Sequence, residues 1–274
     1  MSMTIAMGAY CAGGIVLCAD TTIIAGDQKW QGLKMSHVMG KSGSFAIANA
    51  SQDLNAANTL VRNLMDDLRD TEIKNRHQLE SLVTSKMTKW SKAFQIGHPS
   101  TQFILAAYLN GSVIAEDGLL LYFCEPPNTI LLSNIHDDFK GFIGIGSGAA
   151  VTNPMFQTLF SCLASQKGRL LEFSYLMYLA KKGDTWCGGR TIAVLLKSEH
   201  VEPMRISPLD MEAAESLGNL FDNVLSTTGS GILPQPDEEK ARKFSEYIAA
   251  RVVDLNARYR QLKIRALDGT EITY

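Results

Sequence analysis

The stretch Thr4-Ile5-Ala6-Met7-Gly8-Ala9-Tyr10-Cys11-Ala12-Gly13-Gly14-Ile15-Val16-Leu17-Cys18-Ala19-Asp20 sets two apolar runs about a small, glycine-rich turn and closes on a carboxylate. Ile15 to Ala19 is continuously apolar, the pattern of a strand buried on both faces, and Gly13-Gly14 suits a tight turn before it. A carboxylate at the end of such a strand loses hydration and needs a cation or several donors in return. The segment Gly26-Asp27-Gln28-Lys29-Trp30-Gln31-Gly32-Leu33-Lys34 supplies two cations within one short excursion of chain. Lys34, just ahead of Met35-Ser36-His37-Val38, is the preferred partner for Asp20, and Lys29 is the alternative.

The 274 residues are 46% apolar and 20% charged. That is an ordinary globular composition, and a chain of this length buries roughly three quarters of its unfolded surface. A formal charge of -2 offers no basic stripe for phosphates, so no nucleic-acid partner is expected. Apolar stretches fall short of the roughly 18 to 20 residues that span a bilayer, and no basic segment precedes an apolar one at the N-terminus. The expectation is a cytoplasmic protein without a membrane partner. Cys11, Cys18, Cys124, Cys162 and Cys187 are scattered and mostly set in apolar runs. They read as small buried hydrophobes, and neither a metal nor a cofactor is expected.

Further along, Phe45 to Ala48 reads as a strand. Leu54, Ala57, Val61, Leu64 and Leu68 then mark one face of a helix that Ser51 is placed to cap, and Leu79, Val83, Met87, Trp90 and Phe94 mark a second. Strand candidates follow at Gln102–Tyr108, Val113–Ala115, Leu119–Cys124, Thr129–Leu132 and Phe142–Ile145. Asn153-Pro154 suggests the opening of a third helix carrying Phe156, Leu159, Phe160 and Leu163, and Phe173, Leu176, Met177 and Ala180 mark a fourth. Strands near Thr191–Leu196 and Val201–Ile206 complete the set. Beyond Pro208, Ala214, Leu217, Phe221 and Val224 form another helical face. Ser226 to Gly231 and Pro234-Gln235-Pro236 read as a loop, a helix from Ala241 to Tyr259 follows, and Asp268-Gly269 marks a terminal hairpin. Strands, a helix pair, strands, a helix pair and strands suit two facing sheets with helices on each outer face, although an ordinary α+β fold gives similar runs.

The opening hairpin resembles that of proteasome-type subunits, including bacterial proteasome homologues, in which a Thr heads the first strand and an Asp ends the second. Two distant segments also resemble the family. Gly144-Ile145-Gly146-Ser147-Gly148 stands where its members have a Gly-Ser-Gly turn, and Asp184-Thr185-Trp186-Cys187-Gly188-Gly189 where they have an Asp, a Ser and a Gly pair. The resemblance implies an α+β fold, the four-layer αββα sandwich of two antiparallel sheets. It implies such a domain over 1–207; beyond about Pro208 the likeness fades, and 208–274 reads as a helical extension with a terminal hairpin. The activity implied is that of a threonine-type peptidase, cleaving peptide bonds within a ring of identical subunits.

The site residues implied are Thr4 as nucleophile, Asp20 and Lys34 as its partners, and Ser147, Asp184 and Cys187 as orienting groups. Asn49 would supply the oxyanion N–H, and Ile23, Ile47 and Ser51 would shape a mostly apolar substrate pocket. Two departures stand out: Cys187 replaces the usual Ser with a weaker hydrogen-bonding group, and Asn49 replaces a Gly. A terminal Thr is a compact catalyst, because its own α-amine, with a pKa of about 7.7 to 8.0, can serve as base. Thr4 reaches that state only when Met1-Ser2-Met3 are gone. Loss of Met1 alone exposes Ser2, two strand residues or roughly 6.6 Å away, whereas a natural start at Met3 exposes Thr4 directly. A catalytically inactive ring subunit and a hydrolase of small amides are the competing readings.

Overall fold

The computed structural model describes residues 4–25, 28–32, 34–93, 101–111, 118–132, 141–159, 164–198, 202–231 and 238–273. In chain order the first half runs β1 (Ile5–Cys11), β2 (Gly14–Asp20), β3 (Thr22–Ala25), β4 (Gln28–Gln31), β5 (Met35–Gly40), β6 (Gly43–Ser51), α1 (Leu54–Asp70), α2 (Arg76–Ala93) and β7 (Thr101–Leu109). Then come β8 (Leu119–Glu125), β9 (Asn128–Leu132), β10 (Phe142–Gly146), α3 (Ala149–Leu159), α4 (Gln166–Gly183), β11 (Thr191–Lys197), β12 (Met204–Arg205), α5 (Pro208–Gly231) and α6 (Glu238–Gln261). Two antiparallel five-stranded sheets result, ordered β10-β1-β2-β11-β12 and β5-β6-β7-β8-β9, with a small β3-β4 hairpin beside them.

Strand alternation explains why β1 and β2 are apolar throughout. Ile5, Met7, Ala9, Val16 and Cys18 face a core shared with Phe156, Phe173 and Leu176 of α3 and α4. Ala6, Tyr10, Ile15, Leu17 and Ala19 face the other way, onto Ala46, Ala48, Ile104 and Leu121 of the second sheet. Phe45, Ile47 and Phe103 turn outward onto Leu60, Leu64 and Leu79 of α1 and α2. The layers are therefore helices, sheet, sheet and helices, the expected α+β sandwich. Each fully buried Leu, Ile or Phe side chain in them contributes roughly 1.5–3 kcal/mol. The central layer holds few polar groups, and Tyr10 shows how one is satisfied there. Its hydroxyl donates to the Leu132 carbonyl at 3.1 Å and accepts the Leu121 N–H at 3.0 Å.

Several local expectations are corrected. Asp53, not Ser51, caps α1, accepting the Ala56 N–H at 3.0 Å. Ser51 is still the last residue of β6, and its hydroxyl accepts the Asp53 N–H at 3.1 Å, bending the chain toward the cap. The third helix starts at Ala149, so Pro154 lies inside it. Asn153 does not open that helix because its side chain is spent on β10, bonding both the N–H and the carbonyl of Gly144. Residues 226–231, read as loop, continue α5; Thr and Gly weaken a helix without forbidding it. The excursion after Asp20 folds into the β3-β4 hairpin, which its polar sequence had not suggested. Met1-Ser2-Met3, Phe94, Val113–Ala115, Phe160, Cys162, Leu163 and Pro234-Gln235-Pro236 lie outside the described residues.

The C-terminal residues join the first core. Met211, Ile264, Ala266 and Ile272 pack with the α3 and α4 side chains. The bridge Arg265↔Glu271 closes the terminal hairpin and Ile206↔Ala266 ties it to the chain after β12, while a buried Asp210 fastens it through two bonds to the Arg265 guanidinium. Among the described residues no helix is long and apolar enough to cross a membrane.

Candidate active site

Antiparallel pairing brings the start of β1, the end of β2 and the start of β11 to one end of the first sheet. Ala6 lies opposite Ala19, Ile5 opposite Gly146, and Thr191 opposite Asp20. Thr4 stands just before β1 and is 3% exposed, while Asp20 is fully buried. The Thr4 hydroxyl donates to Asp20 Oδ1 at 2.6 Å, and the Ile5 N–H reaches the same oxygen at 3.1 Å.

Lys34 enters from the chain just before β5. Its Nζ lies 2.8 Å from Asp20 Oδ1 and also hydrogen-bonds Thr4 Oγ1. This ammonium is 3% exposed, and burial pulls its pKa below the ordinary lysine value while Asp20 offsets part of that shift. Of the two lysines considered, Lys34 is therefore the one at Asp20. Ile23 and Lys29 lie on β3 and β4, and their side chains are outside the described residues. The other carboxylate oxygen, Asp20 Oδ2, accepts the Gly188 N–H at 3.1 Å.

The turn after β10 closes over Thr4. Ser147 Oγ accepts the Thr4 N–H at 3.2 Å and donates to the Thr4 carbonyl at 3.3 Å, and the Gly148 N–H reaches that carbonyl at 3.3 Å. Gly146 has φ +87°, and a Cβ there would collide with the Thr4 carbonyl oxygen. Glycine is needed here on both counts.

From the other side comes the turn between α4 and β11. Asp184 ends α4, its N–H bonded to the Ala180 carbonyl at 2.8 Å. Its Oδ2 accepts the Cys187 thiol at 3.4 Å and its Oδ1 the Trp186 N–H at 2.9 Å. Cys187 Sγ lies 4.0 Å from Ser147 Oγ, the limit of a weak sulfur contact. Burial, then the carboxylates of Asp20 and Asp184, push this thiol up to about 12, so it is a neutral donor.

The structure thus brings Thr4, Asp20, Lys34, Ser147, Asp184 and Cys187 together. Asn49 is different. Its backbone N–H donates to the Lys34 carbonyl at 2.9 Å, so an oxyanion would have to compete with that bond, and its buried Oδ1 finds no partner among the described residues. Ile47 is fully buried among the α1 and α2 side chains and so offers no open pocket wall, while Ser51 is half-buried with its Oγ 2.7 Å from Thr101 Oγ1. The Gly188 N–H was not singled out from the sequence. The Gly188-Gly189 pair was the available signal, since Gly189 has φ +68° and lies tight against Thr21 Oγ1. Among the described residues no cluster of His, Cys, Asp and Glu is placed to hold a metal.

Fold and site together define a proteasome-like sandwich with a threonine, an aspartate and a lysine meeting at one end of the first sheet. Among solved structures, the chain is similar to Anbu from Hyphomicrobium sp. strain MC1 at TM-score 0.65 and 21% identity, covering 85% of this chain and 99% of that one. Anbu (ancestral beta-subunit) from Yersinia bercovieri aligns at TM-score 0.67 and 14% identity, with 85% and 99% covered. A helical assembly of the Anbu complex from Pseudomonas aeruginosa aligns at 0.69 and 14%, with 85% and 98% covered. No family model and no curated protein matches the chain. The fold is the proteasome-like fold of Anbu.

Proposed function

We propose that the chain is an N-terminal-nucleophile hydrolase of the threonine type, cleaving peptide bonds once Thr4 is its first residue. The observation that carries this reading is the Thr4 hydroxyl held between Asp20 and Lys34. Lys34 in its neutral form, which burial favours by lowering its pKa, takes the hydroxyl proton as Thr4 Oγ1 bonds to the carbonyl carbon. The C–N bond then breaks, and the leaving amine takes a proton from the α-ammonium of Thr4. Water attacks the acyl ester and gives its proton to the α-amine. The acid departs, and Oγ1 recovers its proton from Lys34. Ser147 and the Asp184–Cys187 pair orient the amine, and Asp20 holds Lys34.

Residues 1–207 form the hydrolase unit in this reading, and 208–274 an extension upon it. Identical subunits assemble around the site. The Pseudomonas aeruginosa relative is described as a helical assembly, and α6 here exposes Tyr247, Val252 and Val253, apolar surface of the kind that subunit contacts cover. Peptide or unfolded protein is the substrate, the compartment is cytoplasmic, and no nucleic acid or membrane takes part.

One observation favours an inactive ring subunit instead: the Asn49 N–H already spent on Lys34. The deciding experiment is to produce the chain beginning at Thr4 and follow hydrolysis of fluorogenic peptides, with trapping of an acyl ester on Thr4 by mass spectrometry. Turnover that Thr4→Ala removes supports the hydrolase. A verified Thr4 terminus in assembled protein that forms no ester and releases no product supports the inactive subunit.

A further inference from the structure

The extension reaches the site from behind. Glu215 on α5 receives the Lys181 ammonium on both carboxylate oxygens, at 2.9 and 2.8 Å. The same ammonium donates to Thr191 Oγ1 at 2.8 Å, and the Thr191 hydroxyl donates to Glu215 Oε1. Thr191 is fully buried, and the Lys181 and Glu215 side chains are 17% and 15% exposed. Lys181 belongs to the last turn of α4 and Thr191 is the first residue of β11, so the triad grips both ends of the turn 184–190. One helical turn earlier on α5, Glu212 pairs with Arg190 at 3.2 Å, adding a second hold on the same turn. What that turn presents to the site is the Asp184 carboxylate, the Cys187 thiol and the Gly188 N–H. Thr191 itself is the strand partner of Asp20.

We infer that Glu215 is a positioning residue: from α5 it clamps Lys181 and Thr191, and so sets where the 184–190 turn meets Asp20 and Thr4. The catalytic part of this inference rests on the hydrolase reading; the positioning part does not. A hydroxyl that accepts from Lys181 and donates to Glu215 uses its one proton and leaves the triad little slack. Removing the carboxylate leaves a mostly buried ammonium without a counter-charge, and it can recover hydration only by opening the base of the turn.

The test uses the full chain and four variants, Glu215→Gln, Thr191→Val, Thr191→Ser and Asp222→Asn. Asp222→Asn is the control, because it cuts the Lys182–Asp222 link between the same two helices at 2.6 Å without touching β11. Peptide-resolved amide exchange over 184–190 is expected to quicken roughly tenfold in Glu215→Gln and Thr191→Val, with residues 5–20 unchanged. Thr191→Ser, which keeps the hydroxyl, and Asp222→Asn should exchange like the parent. In the chain beginning at Thr4, the first two variants should lower kcat by roughly tenfold to a hundredfold with KM unchanged, and Thr191→Ser should restore it. Unchanged exchange in 184–190, or equal quickening in Asp222→Asn, overturns the inference. A parent chain without Thr4-dependent turnover sinks the hydrolase reading alone, since exchange still decides the positioning. If Glu215→Gln does not fold, Thr191→Val carries the same comparison.

Discussion

The hydroxyl of Thr4 stands 2.6 Å from the carboxylate of Asp20, sixteen residues later and at the far end of the neighbouring strand. That oxygen also accepts the Ile5 N–H and the Lys34 ammonium, while its twin takes the Gly188 N–H. Asp20→Ala leaves Lys34 buried and uncompensated, so it should cost about 3–5 kcal/mol of unfolding free energy, with Asp20→Asn in between. Denaturant titration of the three proteins gives the order. An alanine variant within about 1 kcal/mol of the parent would mean that Asp20 does not hold the lysine.

Because the folded-state pKa of Lys34 is depressed, its contribution to stability is fully present above the ordinary 10.5 and is lost as pH falls through the folded value. The stability difference between the parent and Lys34→Met should therefore grow with alkaline pH in favour of the parent. On the hydrolase reading, turnover by the chain beginning at Thr4 should climb with pH along a limb centred below 10.5. Lys34→Arg keeps the charge but not the exchangeable proton, and should lose roughly a hundredfold or more in rate. An arginine variant at parental activity would reduce Lys34 to an electrostatic role.

Cys187 should be inert in the native protein. The thiolate is the nucleophile, and a thiol pushed up to about 12 carries almost none of it through roughly pH 9. Peptide-resolved alkylation should mark Cys187 only after denaturation. Cys187→Ser puts a stronger donor opposite Asp184 and should raise stability by about 0.5–1.5 kcal/mol, visible as a higher midpoint. Fast native labelling at neutral pH would contradict the burial assigned to this group.

Gly146→Ala should be among the most damaging small substitutions in the chain. The left-handed backbone alone costs about 1–2 kcal/mol for an L side chain, and the added methyl collides with the Thr4 carbonyl. Thermal melting should show a loss larger than that of Gly269→Ala, where φ is +91° but the surroundings are open. Equal losses at the two positions would show that the contact with Thr4 carries no weight.

What the sequence disclosed was governed by how local each signal is. The doubly buried β2 and the amphipathic faces of α1, α2 and α4 are written in residue periodicity. Thr4, Asp20, Lys34, Ser147 and Asp184 were legible because their spacing resembles a known pattern. Ser51 misled because a strand end and a helix cap ask for the same small polar residue, and Asp53 was the better placed of two neighbours. Asn153-Pro154 misled because the helix already begins at Ala149 and carries Pro154 within it. The Asn49 N–H was legible as a donor but not as one already engaged, since its acceptor on Lys34 depends on strand register. The Lys181–Thr191–Glu215 triad had no local signature, being made by three separate elements meeting through packing.

The strand order of the first sheet also bears on when the site can exist during synthesis. β1 emerges first, yet its far edge is completed by β10, and β2 waits for β11. The Thr4 N–H meets a hydroxyl 143 residues downstream, and the second oxygen of Asp20 meets an amide 168 residues downstream. Closing loops of that length costs entropy before any contact repays it, and chains rich in such contacts fold slowly. A ribosome-bound or truncated chain therefore carries the threonine, the aspartate and the lysine but not their surroundings. On the hydrolase reading, the nucleophile gains its surroundings only in a finished molecule, and half-made copies do not attack their neighbours.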